Sequence, residues 1–457
     1  MINLKNIQNQ KWLGINISIL GAGKSGISAA KLCKFIGAKP FISESKNDVK
    51  LKEILSNFNY EIGGHSNKVL NCKLLIISPG IDSKVPIVQQ CIKNKIPIVS
   101  EIEFASWFSD TPIIAVTGSN GKSTTVNLIK KMFDSAKIKS QLGGNFGTPF
   151  SDLILFEKRN PNLIKINILE VSSFQLEHVY HFSPNYSIIL NISPDHLDRH
   201  ETLENYLNQK LKILKNLREP GWLIFNSGDI LLSNQLHDYE RKIPFSQSYS
   251  DQALLSLNKT KIYYNDSNDV LIYFKDMGLR GTHNIENILA ASTLAIKYGL
   301  KHRYIKQAIR EIKPLNHRME FVQEIDGVSY YNDSKATNIE STIAAVNSFK
   351  KNIILILGGR GKGKASYYKA FKFKKEKIKY IISYGEAGKM IQDDLQNKFK
   401  VEFFKEFQNA IKRTFEISNS GDTVLLSPSC SSFDQFKNYE ERGIFFKKII
   451  NSKNKQC

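Results

Sequence analysis

Cysteine is scarce: the 457 residues hold five thiols, Cys33, Cys72, Cys91, Cys430 and Cys457. Their number is odd, they are scattered, and no pair has the C-x-x-C spacing. That argues against a disulfide framework or a cysteine zinc site and suits a reducing, cytoplasmic compartment. Long apolar runs are missing as well. The longest, such as Ile353 to Leu357, are strand-length, and Met1 to Gln10 contains no apolar signal-peptide segment, so neither export nor a membrane span is expected. There is no internal repeat of solenoid period, no long low-complexity tract, and no dedicated basic arm or helix.

What is present is the composition of a globular protein, 41% hydrophobic and 11% aromatic, enough to bury sizeable cores. At roughly 100 to 200 residues per domain, three domains are expected. The boundaries are set at residues 1–109, 110–313 and 314–457, from the turn-rich Ser109-Asp-Thr-Pro112 and from Lys313-Pro314. The net charge of +21 invites a nucleic-acid reading. Its lysines are spread along the chain with only local clusters such as Phe371 to Lys377, the pattern of solvated faces, and a site holding several anions also tolerates a positive field.

Short apolar strands alternate with helix-like stretches, which predicts α/β architecture with parallel sheets covered by helices. Strands are expected at Ile15–Leu20, Leu74–Ser78, Ile113–Thr117, Ile166–Val171, Ser187–Ile192, Ile353–Leu357, Tyr380–Ser383 and Thr423–Leu426.

The strand ending at Val116 runs into Thr117-Gly-Ser-Asn-Gly-Lys-Ser-Thr-Thr125 and then an apolar-periodic helix over Val126 to Phe133. Backbone amides of a glycine-rich turn at a helix N-terminus cradle phosphate. Lys122 is placed to reach the terminal phosphates and Ser123 to offer its hydroxyl to Mg²⁺. The strict G-x-x-x-x-G-K-[ST] pattern needs glycine where this chain has Val116, so the loop is a variant. A second pattern, Gly21-Ala-Gly-Lys-Ser-Gly26, follows the first strand and opens a helix, with Glu44 about 20 positions on to hold a ribose hydroxyl. It identifies a pyrophosphate and leaves nicotinamide and nucleotide-sugar ligands both open. Glu170, Asp195, His196 and Asp198 lie at or just after strand ends, with Lys210 in a following helix; a few oxygen ligands suit Mg²⁺, which keeps waters and phosphate oxygens in its shell. In the last third, Asn332–Asn338, Gly358–Gly363 and Ser427–Lys437 are polar and glycine-rich loops with donors suited to carboxylates.

Together these segments resemble the Mur ligase family over nearly the whole chain. The loop Thr117 to Thr124 is shared by the wider family, including folylpolyglutamate synthetases. Glu170-Val-Ser-Ser-Phe-Gln-Leu176, Asn332-Asp-Ser-Lys-Ala-Thr-Asn338 and Asp434-Gln-Phe-Lys-Asn-Tyr-Glu-Glu-Arg-Gly443 resemble its D-glutamate-adding member. The resemblance implies a Rossmann-like UDP-binding domain, a P-loop-like central ATPase and a Rossmann-like amino-acid-binding domain. It also implies ATP-dependent addition of D-glutamate to UDP-N-acetylmuramoyl-L-alanine through an acyl phosphate, in peptidoglycan synthesis.

By the same resemblance, ATP is assigned to Gly118, Ser119, Asn120, Gly121, Lys122, Ser123, Thr124, Asn284, Arg318 and Asp333, with Asn287 also nucleotide-facing. UDP-substrate binding falls to Lys24, Ser25, Ser78, Pro79, Gly80 and Asn145. The D-glutamate pocket falls to Lys335, Thr337, Lys362, Ser432, Phe433 and Tyr439. Mg²⁺ is assigned to Ser123 and Glu170, and a second Mg²⁺ to His196 and a carbamylated Lys210. Lys122, His196 and Lys210 are the catalytic set. The implied enzyme is a cytoplasmic monomer without nucleic-acid or membrane partners. One departure is Ser43-Glu-Ser-Lys46, where the family often has an Asp-Thr/Ser-Arg run, which weakens assignments around uridine. A nicotinamide-dependent oxidoreductase would leave the second phosphate loop without a role. A nucleic-acid-dependent ATPase would show turnover stimulated by DNA or RNA.

Overall fold

The structure, a computed structural model, describes residues 10–247, 252–279, 281–361 and 366–453. The chain divides into two compact units, one of Met1–Ile192, Glu204–Met277 and Glu286–Glu311, the other of Ser193–Leu203, Gly278–Ile285 and Ile312–Cys457.

The first unit opens with β1 (Asn16–Leu20), β2 (Lys39–Glu44), β3 (Asn59–Ile62), β4 (Leu74–Ile77) and β5 (Ile98–Ser100), ordered β3-β2-β1-β4-β5 and paired in parallel. β4 is buried at every position, the run a parallel strand needs when both its faces are covered. Helices Lys24–Phe35 and Pro86–Lys93 bring Ala29, Ala30, Leu32, Ile87 and Val88 into the core. Strand order reverses between β1 and β4, so a ligand crevice is expected at their carboxyl ends.

The same unit continues with β6 (Ile113–Thr117), β7 (Ser140–Gly144), β8 (Ile166–Glu170), β9 (Tyr186–Ile189), β10 (Trp222–Asn226) and β11 (Lys242–Phe245). They form a second parallel sheet ordered β11-β10-β9-β6-β8-β7. The helix after β6 spans Lys122–Ser135, four residues earlier than apolar periodicity indicates, because Lys122, Ser123 and Thr124 already form its first turn. β9 ends at Ile189, short of the expected Ile192, because Asn191 turns aside and its carbonyl accepts from Ser119 N at 2.8 Å. An antiparallel sheet of β12 (Leu255–Leu257), β13 (Lys261–Tyr264) and β14 (Val270–Tyr273) was not anticipated.

Two buried carboxylates join the two parallel sheets of this unit. Glu103, on helix Glu101–Ser106, accepts from the backbone N–H groups of Tyr180 (2.9 Å), His181 (2.8 Å) and Phe182 (2.7 Å) and from Trp107 Nε1 (2.8 Å). Glu101 Oε1 accepts from Ser151 N at 2.6 Å. Several N–H donors gathered on one carboxylate, as on Glu103, make one of the stronger ties available to a folded chain.

The second unit carries β15 (Glu320–Ile325), β16 (Val328–Asn332), β17 (Ile353–Gly358), β18 (Ile378–Tyr384), β19 (Val401–Phe404) and β20 (Thr423–Ser429), ordered β15-β16-β20-β17-β18-β19. β15 and β16 form an antiparallel hairpin around Asp326-Gly327, both at positive φ as a tight two-residue turn requires. The remaining pairings are parallel, so this sheet is mixed. Along β17, Ile353, Leu355 and Leu357 enter one core cluster and Ile354 and Ile356 the other, the period-two alternation of a strand covered on both faces.

Candidate active site

The turn after β6 has the form of an anion cradle. Gly121 caps the following helix at φ +87°, a left-handed conformation that L side chains rarely adopt, and a Cβ there would lie 2.2 Å from Asn287 Oδ1. Asn287 also accepts from Thr125 Oγ1 at 3.3 Å. Asn120 N donates to Asn191 Oδ1 at 2.8 Å, and with the Ser119 bond this staples the turn to the end of β9. Sequence reading missed Asn191, whose only signal is an asparagine just past a strand.

Lys122 Nζ folds back onto the carbonyls of Gly118 (2.7 Å) and Ser119 (2.8 Å), holding an ammonium over the turn. Thr124 is buried in the same helical turn. Pairing of Val116 with Glu170 in the β6–β8 register sets the carboxylate beside the loop. Ser123 Oγ donates to Glu170 Oε2 at 2.5 Å, and Asn145 Nδ2 donates to Glu170 Oε1 at 2.8 Å. Asn145, assigned to the UDP-substrate, thus stands on the phosphate-loop carboxylate. Lys210, 1% exposed on helix Leu203–Leu211, donates to Gly118 O at 2.8 Å and lies 4.4 Å above the Tyr206 ring. Ser119 Oγ bonds Tyr206 OH at 3.4 Å. The structure therefore brings Gly118 to Thr124, Asn145, Glu170, Lys210 and Asn287 together.

Among the described residues no group of three or more His, Cys, Asp or Glu side chains converges as an ion cage. The buried hydroxyl–carboxylate pair of Ser123 and Glu170 is the donor set that fits a hard cation.

At the switch point of the first sheet, helix Lys24–Phe35 starts with Lys24 exposed and Ser25 partly covered. Ser78 N donates to Leu20 O at 3.0 Å, setting Ser78, Pro79 and Gly80 beside the Gly21 to Gly26 turn. These five residues share one sheet edge.

The second unit holds the other candidates. His196 sits at φ +55° with its N–H on Asp195 Oδ1 at 3.0 Å, and Asn338 Nδ2 donates to Asp195 Oδ2 at 3.3 Å. Asn284 N bonds Gly281 O at 3.0 Å in the first turn of helix Thr282–Tyr298. Asp333 accepts from Met319 N (3.2 Å) and Ser427 Oγ (2.8 Å). Burial pushes its carboxyl up to about 7, against Ser427 and nearby Arg318, which pull it down. Among the described residues, Arg318 Nε is buried without a hydrogen-bond partner. Lys335 Nζ lies 5.3 Å from the Tyr439 ring, and Tyr439 O accepts from Ser334 Oγ at 2.8 Å. Thr337 is partly covered, Ser432 is buried and Phe433 is 61% exposed. Lys362 lies outside the described residues.

Arg442, fully buried, ties these loops together: it donates to Ser334 Oγ (2.9 Å) and O (2.8 Å), to Cys430 O (3.1 Å) and to Tyr384 OH (3.2 Å). Sequence reading quoted its run without giving it a role.

The sequence matches "Mur ligase MurD-like, N-terminal domain" over residues 15–100, "Mur ligase middle domain" over 116–295 and "Mur ligase, glutamate ligase domain" over 317–430. A UDP-N-acetylmuramoylalanine--D-glutamate ligase from Chloroherpeton thalassium is 35% identical, covering 96% of this chain and 98% of the relative. One from Koribacter versatilis is 36% identical, over 96% and 97%. The fold is similar to that of UDP-N-acetylmuramate-alanine ligase MurC from Thermotoga maritima, with TM-score 0.62 and 19% identity over 97% of this chain and 99% of that one. With three domain matches in order and relatives at this identity along almost its entire length, the chain belongs to the Mur ligase family.

Proposed function

We propose that this chain is the ATP-dependent ligase that adds D-glutamate to UDP-N-acetylmuramoyl-L-alanine, releasing ADP and phosphate, in peptidoglycan synthesis. The observation that carries the reading is a phosphate turn with Lys122 over it and the Ser123–Glu170 pair beside it, in a chain whose relatives bear that ligase name.

The amides of Gly118 to Ser123 hold the ATP phosphates, and Lys122 exchanges its loop carbonyls for phosphate oxygens as charge develops. The substrate carboxylate attacks the γ-phosphoryl group, giving ADP and an acyl phosphate. The D-glutamate amine then attacks the acyl carbon and expels phosphate. Ser123 and Glu170 would hold Mg²⁺, and His196 with a carbamylated Lys210 a second, supplying charge neutralisation at the phosphates. Asn284, Arg318 and Asp333 complete the nucleotide site. Lys24, Ser25, Ser78, Pro79, Gly80 and Asn145 serve the UDP-substrate, and Lys335, Thr337, Lys362, Ser432, Phe433 and Tyr439 the amino acid.

The working domains are residues 1–109, 110–313 and 314–457. The enzyme acts as a cytoplasmic monomer on UDP-N-acetylmuramoyl-L-alanine, D-glutamate and ATP, without nucleic-acid or membrane partners. Free Cys33, Cys72, Cys91 and Cys430 agree with a reducing compartment. Phosphate release measured with that nucleotide and a panel of amino acids tests the reading. D-Glutamate alone should support turnover, and equal turnover with L-alanine or none with any amino acid would reject it.

A further inference from the structure

The acidic residue that the glycine fingerprint assigns to a ribose hydroxyl is Glu44, at the end of β2. In the structure its Oε2 accepts from Ala22 N at 2.8 Å and its Oε1 from Lys46 N at 3.0 Å and Ser45 Oγ at 3.2 Å. Both oxygens are engaged with the glycine turn and the β2 terminus, so this carboxylate braces the loop.

The neighbouring strand end carries a side-chain network that the sequence reading did not single out. Ser43 Oγ, fully buried, lies 2.6 Å from Glu61 Oε1 and 2.7 Å from His65 Nδ1. Glu61 also accepts from Ser66 N at 2.9 Å and Ser66 Oγ at 2.5 Å. His65 is delivered by Gly63 and Gly64 at φ +85° and +152°, the second a conformation open essentially to glycine alone. Their N–H groups bond Lys46 O and Glu44 O, both at 3.3 Å, which folds the loop back across the end of β2. That is the sheet edge where Gly21 N bonds Ser43 O at 2.9 Å, so the histidine loop and the glycine turn flank one strand terminus.

Proton counting fixes the imidazole tautomer. Burial pushes Glu61 up, but the bonds from Ser43 and Ser66 outweigh it, leaving the carboxyl below its ordinary value and ionised at neutral pH. An ionised carboxylate only accepts, so the single Ser43 hydroxyl proton goes to Glu61 and Ser43 Oγ must accept from His65 Nδ1–H. In the neutral form of the ring this leaves the lone pair on Nε2, across the ring from Nδ1.

We propose that His65, held in this tautomer by Ser43 and Glu61, is a specificity-determining residue for the nucleoside end of the UDP-substrate, with Nε2 accepting a hydrogen bond from a donor on the nucleoside. The inference rests on the reading of the Gly21 to Gly26 edge as the UDP site. In a doubly wound sheet the pyrophosphate lies on the turn after the first strand and the nucleoside runs outward over the end of the second. β3 is the next strand beyond β2, so residues 63–66 border that path. Three nucleoside groups can supply the proton, the ribose 2′- and 3′-hydroxyls and the uracil imide N3–H. A site that offers an acceptor discriminates against a ligand lacking the donor, because a desolvated polar group is then left unpaired.

The test is titration calorimetry of UDP, 2′-deoxy-UDP, 3′-deoxy-UDP and N3-methyl-UDP into the full-length protein. His65→Ala should weaken UDP about tenfold with the unfolding midpoint unchanged. The wild-type penalty against one analogue, 2′-deoxy-UDP or 3′-deoxy-UDP for a ribose contact or N3-methyl-UDP for an imide contact, should vanish in His65→Ala. Ser43→Ala should shift His65 toward the Nε2–H tautomer, read from its ¹⁵N ring shifts, and weaken UDP by a similar factor. If wild type binds UDP and His65→Ala binds it equally, or if His65→Ala keeps the analogue penalty, the role of His65 is overturned while the UDP site stands. Wild-type protein that binds no UDP overturns both.

Discussion

Replacing Glu103 should loosen the first unit more than any surface substitution. Four N–H donors converge on this one carboxylate, two per oxygen: Tyr180 and Phe182 on Oε2, His181 and Trp107 Nε1 on Oε1. The glutamate is 0% exposed, so water does not readily take its place. Glu103→Gln keeps one carbonyl oxygen for two donors and confronts the other two with an NH₂ group. Two unsatisfied buried donors at roughly 1 to 3 kcal/mol each, partly relieved by movement of the 180–182 segment, give about 2 to 4 kcal/mol. At about 2 °C per kcal/mol for a unit of this size, the midpoint should fall by about 4 to 8 °C. Glu103→Ala, which strips all four donors and leaves a void, should fall further. Differential scanning calorimetry reads this directly. Both variants melting within about 1 °C of wild type would refute the claim that this carboxylate latches the two sheets.

Other substitutions probe the site and its pH dependence. Gly121→Ala places a Cβ 2.2 Å from Asn287 Oδ1 at φ +87°, so the phosphate turn must shift; kcat/KM for ATP should fall about 100-fold or more, and a value within threefold of wild type would count against the cradle. Lys210→Ala should abolish ligation, with partial rescue by short carboxylic acids, whereas full activity without rescue would remove Lys210 from the mechanism. Burial pushes Glu101 up to about 7 while Ser151 pulls it down, so the folded state retains a proton that the unfolded chain loses near 4.5. Stability should fall as pH rises from 4.5 to 7 and then level off, and Glu101→Gln should remove that slope and gain at most about 3 kcal/mol relative to wild type at pH 8. Parallel urea-unfolding profiles for the two proteins across pH 4.5 to 8 would contradict this.

Several of the legible strands are buried along their whole length. β4, β6, β8 and β17 are unbroken apolar or nearly apolar runs, because helices cover a parallel sheet on both sides. Edge and hairpin strands escaped the same reading. β3 and β19 have no buried position, and β16 alternates buried with half-buried residues, so none presents a continuous run. In the candidate site, the phosphate loop was legible because glycine, lysine and serine must fall at fixed offsets along one turn. Glu103 and Arg442 were not, because their meaning lies in distant partners: Glu103 meets Phe182 79 positions on, and Arg442 meets Ser334 108 positions back. The His65 network was hidden for the same reason, since Ser43, Glu61 and His65 converge only once β2 and β3 pair.

In the proposed reaction a carboxylate is activated as an acyl phosphate in the turn held by Gly118 to Thr124. UDP-N-acetylmuramoyl-L-alanine labelled with ¹⁸O in both carboxylate oxygens, turned over with ATP and D-glutamate, tests it by mass spectrometry of the released phosphate. One ¹⁸O atom is expected in each phosphate, carried over from the carboxylate when the amine displaces it. Phosphate without label, alongside the formed amide, would contradict it.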